Sequence, residues 1–318
     1  MLLLELVSRL KRVVGPGRPQ HFVATAAALL ISAVLANPAS AELIYGIASQ
    51  APATALLTWD SSAPGNIQTG VFISGLQSGE TLLGIDFRPA TGQLYGLGST
   101  SQVYTINPGT GAVTAVGGSF APPALSGFSY GFDFNPVIDR IRVVSETNQN
   151  LVLNPNTGAL QLAATNLFYG PADPNFGVDP NVVDAAYSNN FDTAVATQLY
   201  GIDTGLDILV TQANNAGTLG TVGPLGLNVS AAGGFDISGT TGIAYAALLP
   251  AGASQSSLYS ISLLTGLATN LGQIDGGIVI TALTVAPAPP SGGIPEPATI
   301  SLIALGLIGC VASRRRKS

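Results

Sequence analysis

Two stretches of this chain repeat each other closely enough to dictate an architecture. Gly84-Ile85-Asp86-Phe87-Arg88-Pro89 matches Gly131-Phe132-Asp133-Phe134-Asn135-Pro136. A strand-like stretch follows each, then a turn: Asn107-Pro108-Gly109-Thr110-Gly111 in one, Asn154-Pro155-Asn156-Thr157-Gly158 in the other. From the Asp to the last Gly is 25 residues both times. Gly234-Phe235-Asp236-Ile237 opens a third copy, with Leu258-Tyr259-Ser260-Ile261 and Thr265-Gly266 after it. Val183-Asp184-Ala185-Ala186-Tyr187 opens a degenerate one, with Leu199-Tyr200-Gly201-Ile202 and Gly217-Thr218 downstream. Taking Asp86, Asp133, Asp184 and Asp236 as equivalent gives spacings of 47, 51 and 52 residues. A unit of that length suits one four-stranded blade of a β-propeller.

The ends of the repeat region complete the count. Ala282-Leu283-Thr284-Val285-Ala286-Pro287 resembles the opening strand of a unit with nothing after it. Leu43-Ile44-Tyr45-Gly46 resembles Leu94-Tyr95-Gly96, a second strand with nothing before it. Joining the two makes a fifth blade and leaves no open sheet edge. The expected fold is therefore all-β, a five-bladed propeller of four-stranded blades closed by its N- and C-terminal strands. An irregular β-sandwich is the alternative. Alternating stretches such as Arg140-Ile141-Arg142-Val143-Val144 read as strands, and the 39 Gly and 21 Pro fit many tight turns.

Outside the repeats lie two address segments. Arg9, Lys11, Arg12 and Arg18 precede the apolar stretch Phe22 to Ala36, and Ala39-Ser40-Ala41 supplies small residues for cleavage. Residues 1–41 read as a secretory signal peptide cut after Ala41. The repeat domain is then 42–289, and 290–294 a linker. In the tail, 295–318, Pro295-Glu296-Pro297 precedes an apolar run over 298–312, and Arg314-Arg315-Arg316-Lys317 follows. That run is short for a spanning helix, which needs about 20 residues, and the basic end would stay cytoplasmic. The tail resembles the PEP-CTERM sorting signal of exopolysaccharide-producing Gram-negative bacteria. The resemblance implies processing by an exosortase near the tripeptide, after transient membrane insertion. A plain C-terminal anchor is the competing reading.

With both segments set aside, the composition changes character. Of 11 basic residues only Arg88, Arg140 and Arg142 remain between Glu42 and Ile294, against 15 acidic ones, a net charge of −12. Such a domain is a poor partner for nucleic acid or anionic lipid. His21, Cys310 and Met1 are the single residues of their kinds, and no Lys lies in that span. This removes a Ser-His-Asp triad, a Cys nucleophile, a His or Cys zinc site, a Schiff-base Lys and any disulfide from the domain. An exported domain of this kind must hold itself together by its core.

Around the repeats the chain resembles an uncharacterised secreted bacterial family, a domain of unknown function. Its members carry strands like GFDFNP, turns like LNPNTG, and stretches like Leu199-Tyr200-Gly201-Ile202-Asp203 and Gly217 to Gly226. The resemblance covers nearly all of Leu43 to Ala286 and implies no activity.

Three groups of residues could carry chemistry. Asp86, Asp133, Asp184 and Asp236, if on innermost strands, would line the central channel as cation ligands or as the acid and base of a glycosidase. The structural reading, which a repeated residue favours, has each Asp accepting hydrogen bonds within its own blade. The Pro171 to Asp192 loop is rich in oxygen ligands and offers Asp173 and Asp179 to calcium, although no EF-hand or nonapeptide spacing occurs. A solvated insertion is the plainer reading. Arg140 and Arg142 share a strand face and would neutralise blade carboxylates or grip an acidic sugar. Tyr45, Tyr95, Tyr200 and Tyr259 recur in one strand context and read as blade packing.

The leading expectation is a non-enzymatic exported protein of the envelope or extracellular matrix, a binding or structural module associated with exopolysaccharide. A carboxylate-dependent glycoside hydrolase and a calcium-stabilised lectin-like binder are the alternatives. No other cofactor is expected.

Overall fold

The computed structural model of the protein describes residues 41–50 and 53–287. Ala39, Pro295, Glu296, Pro297, the linker and the apolar run all lie outside the described residues. Among those residues the chain forms five small sheets arranged as a five-bladed propeller. One blade joins β21 (Ile280–Val285) to β1 (Leu43–Gln50), β2 (Ala53–Asp60) and β3 (Ala63–Phe72). Blade 1 holds β4 (Leu82–Phe87), β5 (Leu94–Gly98), β6 (Gln102–Ile106) and β7 (Val113–Val116). Blade 2 holds β8 (Tyr130–Asn135), β9 (Arg140–Ser145), β10 (Asn150–Leu153) and β11 (Leu160–Ala163). Blade 3 holds β13 (Val182–Tyr187), β14 (Leu199–Asp203), β15 (Ile208–Ala213) and β16 (Thr218–Pro224). Blade 4 holds β17 (Val229–Ile237), β18 (Ala244–Pro250), β19 (Ser257–Ile261) and β20 (Ala268–Gln273).

The closing blade, blade 5, is built as the terminal sequences predict. Ile44 to Ala48 of β1 pair antiparallel with Val285 to Ile280 of β21. Glu42 fastens the joint to blade 4: its carboxylate accepts hydrogen bonds from the hydroxyls of Ser238 and Thr241. Blade 3 departs from the expected four strands. The short β12 (Phe168–Tyr169) adds to β16 in parallel, making five.

Burial follows position in the ring. The inner strands β4, β8, β13, β17 and β21 contact one another in a closed circle, and β8 and β13 are buried along their whole length. Five apolar clusters lie between neighbouring blades rather than within them. A blade therefore has two buried faces, and outer strands such as β7 and β11 are half-buried or exposed throughout. This is why β9 and β10, which read as alternating, are buried almost throughout. Close approach of inner strands also explains the Gly that opens the repeat. A Cβ on Gly84 would lie 2.5 Å from Cβ of Phe132 in the next blade.

Candidate functional site

One or two residues before the end of each inner strand, five side chains form a level around the axis: Asp86, Asp133, Ala186, Asp236 and Thr284. The alignment rests on hydrogen bonds. Phe134 N–H donates to Asp86 Oδ2 at 2.8 Å, Tyr187 N–H to Asp133 Oδ1 at 3.0 Å, and Val285 N–H to Asp236 Oδ2 at 2.7 Å. In each case the donor directly follows the residue of this level in the next blade. Blades 3 and 5 carry Ala186 and Thr284 and cannot supply a carboxylate. There the strand ahead serves itself: Ile237 N–H donates to Asp236 Oδ1 at 2.6 Å, and Phe87 N–H to Asp86. Every backbone donor at this level is thus satisfied by a carboxylate, as buried N–H groups require. The expectation of bonds within one blade is corrected, because three of the five cross to the neighbour.

Asp184 does not belong to this level. Phased by the hydrogen bonds, the blade 3 equivalent is Ala186, and Asp184 lies two residues earlier, level with Gly84, Gly131 and Gly234. It occupies space that glycines leave elsewhere, and accepts the N–H of Gly234 at 3.4 Å. The Ala186 gap is covered by the β13–β14 loop, from which Asn190 Nδ2 reaches Asp236 Oδ1 at 3.4 Å.

A second ring of residues backs the first. Their cross-strand partners are Tyr95 for Asp86, Arg142 for Asp133, Tyr200 for Ala186, Tyr245 for Asp236 and Tyr45 for Thr284. Tyr259 is a third-strand residue in β19, so Tyr245 is the blade 4 counterpart that the sequence reading missed. The tyrosines pack between blades: Tyr45 meets Phe87 and Tyr95 meets Phe134 edge-on, each with centroids 5.1 Å apart.

Neither Arg140 nor Arg142 pairs with a carboxylate. Arg142 is buried and donates to Tyr187 Oη, Asn150 Oδ1 and Asn215 Oδ1, while Arg140 donates to the carbonyls of Ile138 and Asp139. Among the described residues the salt bridge is instead between Arg88 and Asp139, joining blades 1 and 2.

Electrostatically the inner level is extreme. Asp86, Asp133 and Asp236 are each 1% exposed, and one oxygen from each lies within 4.8 Å of the others. Burial pushes all three carboxyls upward, and for Asp86 and Asp133 charge repulsion adds to it. Burial alone lifts Asp184 to about 8. The cluster has cation-like spacing, but most of its oxygens already accept backbone N–H groups, and a glycan could not reach them while the ring is closed. Asp173 and Asp179 join no such grouping among the described residues. Burial raises Asp173, yet the N–H groups of Thr221 and Asn175 outweigh it and leave the carboxyl below its usual range. Asp179 accepts the Asn148 amide at 2.7 Å. Asp173 ties its loop to β16 through Thr221, and Asp179 ties it to the β9–β10 turn through Asn148.

The repeat chemistry matches a family model, Domain of unknown function (DUF4394), over residues 55–284. The chain belongs to this family. A PEP-CTERM protein-sorting motif matches at residues 293–317, which makes it an exosortase-sorted, exported DUF4394 protein. No curated protein matches it. Among solved structures it is similar to a structural genomics protein of unknown function from Bacteroides thetaiotaomicron (TM-score 0.43, 16% identity, 75% of this chain, 60% of that one). It is also similar to Kuenenia stuttgartiensis hydrazine synthase (0.38, 15%, 66% and 53%). PorZ, a surface component of the Porphyromonas gingivalis type-IX secretion system, is a third (0.34, 13%, 70% and 27%). The chain thus spans between 27% and 60% of these structures' own lengths.

Proposed function

We propose that this exported DUF4394 propeller is a non-enzymatic binding or structural module of the cell envelope or exopolysaccharide matrix, released there by exosortase. The observation that carries the reading is the use made of the axial carboxylates. Among the described residues they are the acids grouped at the axis, and three of the five backbone hydrogen bonds they accept join one blade to the next. Catalysis needs access for substrate, whereas each of these side chains is 1% exposed. The strongly acidic domain, with three cationic side chains between Glu42 and Ile294, also favours an uncharged or weakly charged polymer over a polyanion.

The test is retention of the processed protein on polysaccharide purified from the producing cells, alongside a glycan array. Retention that competes with free polymer supports the module. Failure to bind any polymer, with the protein free in the medium, overturns it. Release of reducing sugar, lost when one axial Asp becomes Asn, would move the reading to a hydrolase. A melting temperature lowered by chelator would move it to a calcium-stabilised binder.

A further inference from the structure

The hydroxyl of Thr284 lies 2.9 Å from Asp86 Oδ1 and 2.9 Å from Asp236 Oδ2. A hydroxyl has one hydrogen, so it can donate to only one of two acceptors. If both carboxyls were ionised, one contact would set lone pair against lone pair in a site without solvent. The second hydrogen must come from a carboxylic acid. Which one carries it follows from the donors around them. Asp236 accepts N–H groups from Ile237, Val285 and the Asn190 side chain, whereas Asp86 accepts those of Phe134 and Phe87. More donors favour the anion, which assigns the charge to Asp236 and the proton to Asp86.

We propose that a buried proton on Asp86, relayed through the Thr284 hydroxyl to the Asp236 carboxylate, is the clasp that shuts the propeller ring, and that its loss with rising pH loosens β21. The chain of bonds runs Asp86 Oδ1–H to Thr284 Oγ1, then Thr284 Oγ1–H to Asp236 Oδ2. It ties blade 1 to blade 4 across the strand that closes the circle. That strand is also the last among the described residues, and it ends eight residues before the sorting motif begins at 293. Asp133 on β8 also faces the cluster, with Tyr187 of β13 and Arg142 of β9 behind it. The Tyr95 hydroxyl turns instead to Arg88, that of Tyr245 lies by Ser61 and Glu42, and the Asp184 carboxyl accepts the Gly234 N–H. The Asp236 carboxylate repels Asp86 once the proton leaves, and Arg142 is engaged by neutral oxygens.

Burial and the neighbouring charge hold Asp86 well above the usual carboxylate range. Its contribution is fully present below the unfolded value, about 3.9, and is lost as pH rises through the folded one. The test uses the full exported protein, without change of chain length. Infrared spectra at neutral pH should show protonated carboxylic acid absorption, to which Asp184 also contributes, and Asp86→Asn should remove one component that Asp184→Asn leaves in place. Asn places Oδ1 toward Phe134 N–H and Nδ2 toward Thr284 Oγ1, copying the protonated acid, so this variant should fold and make the fall of the melting temperature with pH shallower, leaving the part that Asp184 causes. Asp236→Asn places a donor against backbone donors and should lower the melting temperature at every pH. Three results would overturn the clasp: no acid component lost in Asp86→Asn, an Asp86→Asn protein that is unfolded or as impaired as Asp236→Asn, or calcium restoring the melting temperature at alkaline pH.

Discussion

A carboxylate at 1% exposure survives in this protein because backbone N–H groups point at it, and the arrangement makes its removal costly. Asp133 carries the simplest case, since it accepts the Tyr187 N–H from the next blade. In Asp133→Ala that donor has no partner, so stability should fall by ~1–3 kcal/mol. Asp133→Asn keeps an oxygen in place and should lose less than half as much, as measured by urea unfolding. Asp184 tests the charge itself. With the folded value at about 8 and an unfolded one near 3.9, the native state binds the proton more tightly. Its contribution is complete below about pH 4 and lost as pH climbs to about 8. Asp184→Asn should therefore make the stability–pH slope shallower across that window by about one proton, ~1.4 kcal/mol per pH unit. An unchanged slope would show that Asp184 is ionised in the fold. The sequence displayed Asp184 but hid its level: it stands beside two alanines, and an Asp is easier to see than an Ala in the equivalent place. Thr284 was in plain sight at the Asp position of Ala282-Leu283-Thr284-Val285, yet its role depends on two carboxylates from other blades that no period reveals.

At the scale of the strand and blade, the repeat encodes contacts between units more than within them. The Gly-x-Asp-Phe pattern has one job per residue: Gly lets the next inner strand approach, Asp takes that strand's N–H, and Phe receives the preceding blade's Tyr edge-on. Phe87 with Tyr45 and Phe134 with Tyr95 show the last step. Gly84→Ala should accordingly push blades 1 and 2 apart at Phe132 and cost ~1–3 kcal/mol. The size of the loss in a thermal unfolding experiment measures how rigid the axial packing is. A melting temperature left unchanged would mean that the inner strands slide freely. Element existence was legible because turns and period marked each blade. Element phase in blades 3 and 4 was not. The loop over 188–198 sets Tyr200 14 residues after Ala186, where Tyr95 follows Asp86 by nine. In blade 4 Tyr245 keeps the nine-residue spacing after Asp236, but the Leu258-Tyr259 pair copies Leu94-Tyr95 and so passed for the second strand.

Over the whole molecule, the ring depends on two strands from opposite ends of the repeat region meeting. β21 supplies an inner strand with contacts to β1, β17 and β4, and no other described segment takes that place. The sorting motif begins at residue 293, beyond the last residue of β21, Val285. Cleavage near Pro295 therefore falls outside the closed ring and leaves each of its hydrogen bonds in place. Two truncations separate these roles. A chain ending at Pro287 keeps the clasp strand and should melt together with the exosortase-processed protein. A chain ending at Val279 loses β21, bares the edge of β1, and leaves Asp236 and Asp86 without Thr284 between them. Exposed edges of that kind recruit other chains, so this form should collect as aggregates or be degraded. Mass spectrometry of the exported protein completes the comparison: the mature chain should lack Arg314 to Lys317, whereas cells without the exosortase should keep them in the membrane fraction. An intact tail in normal cells would mean that the propeller works while anchored.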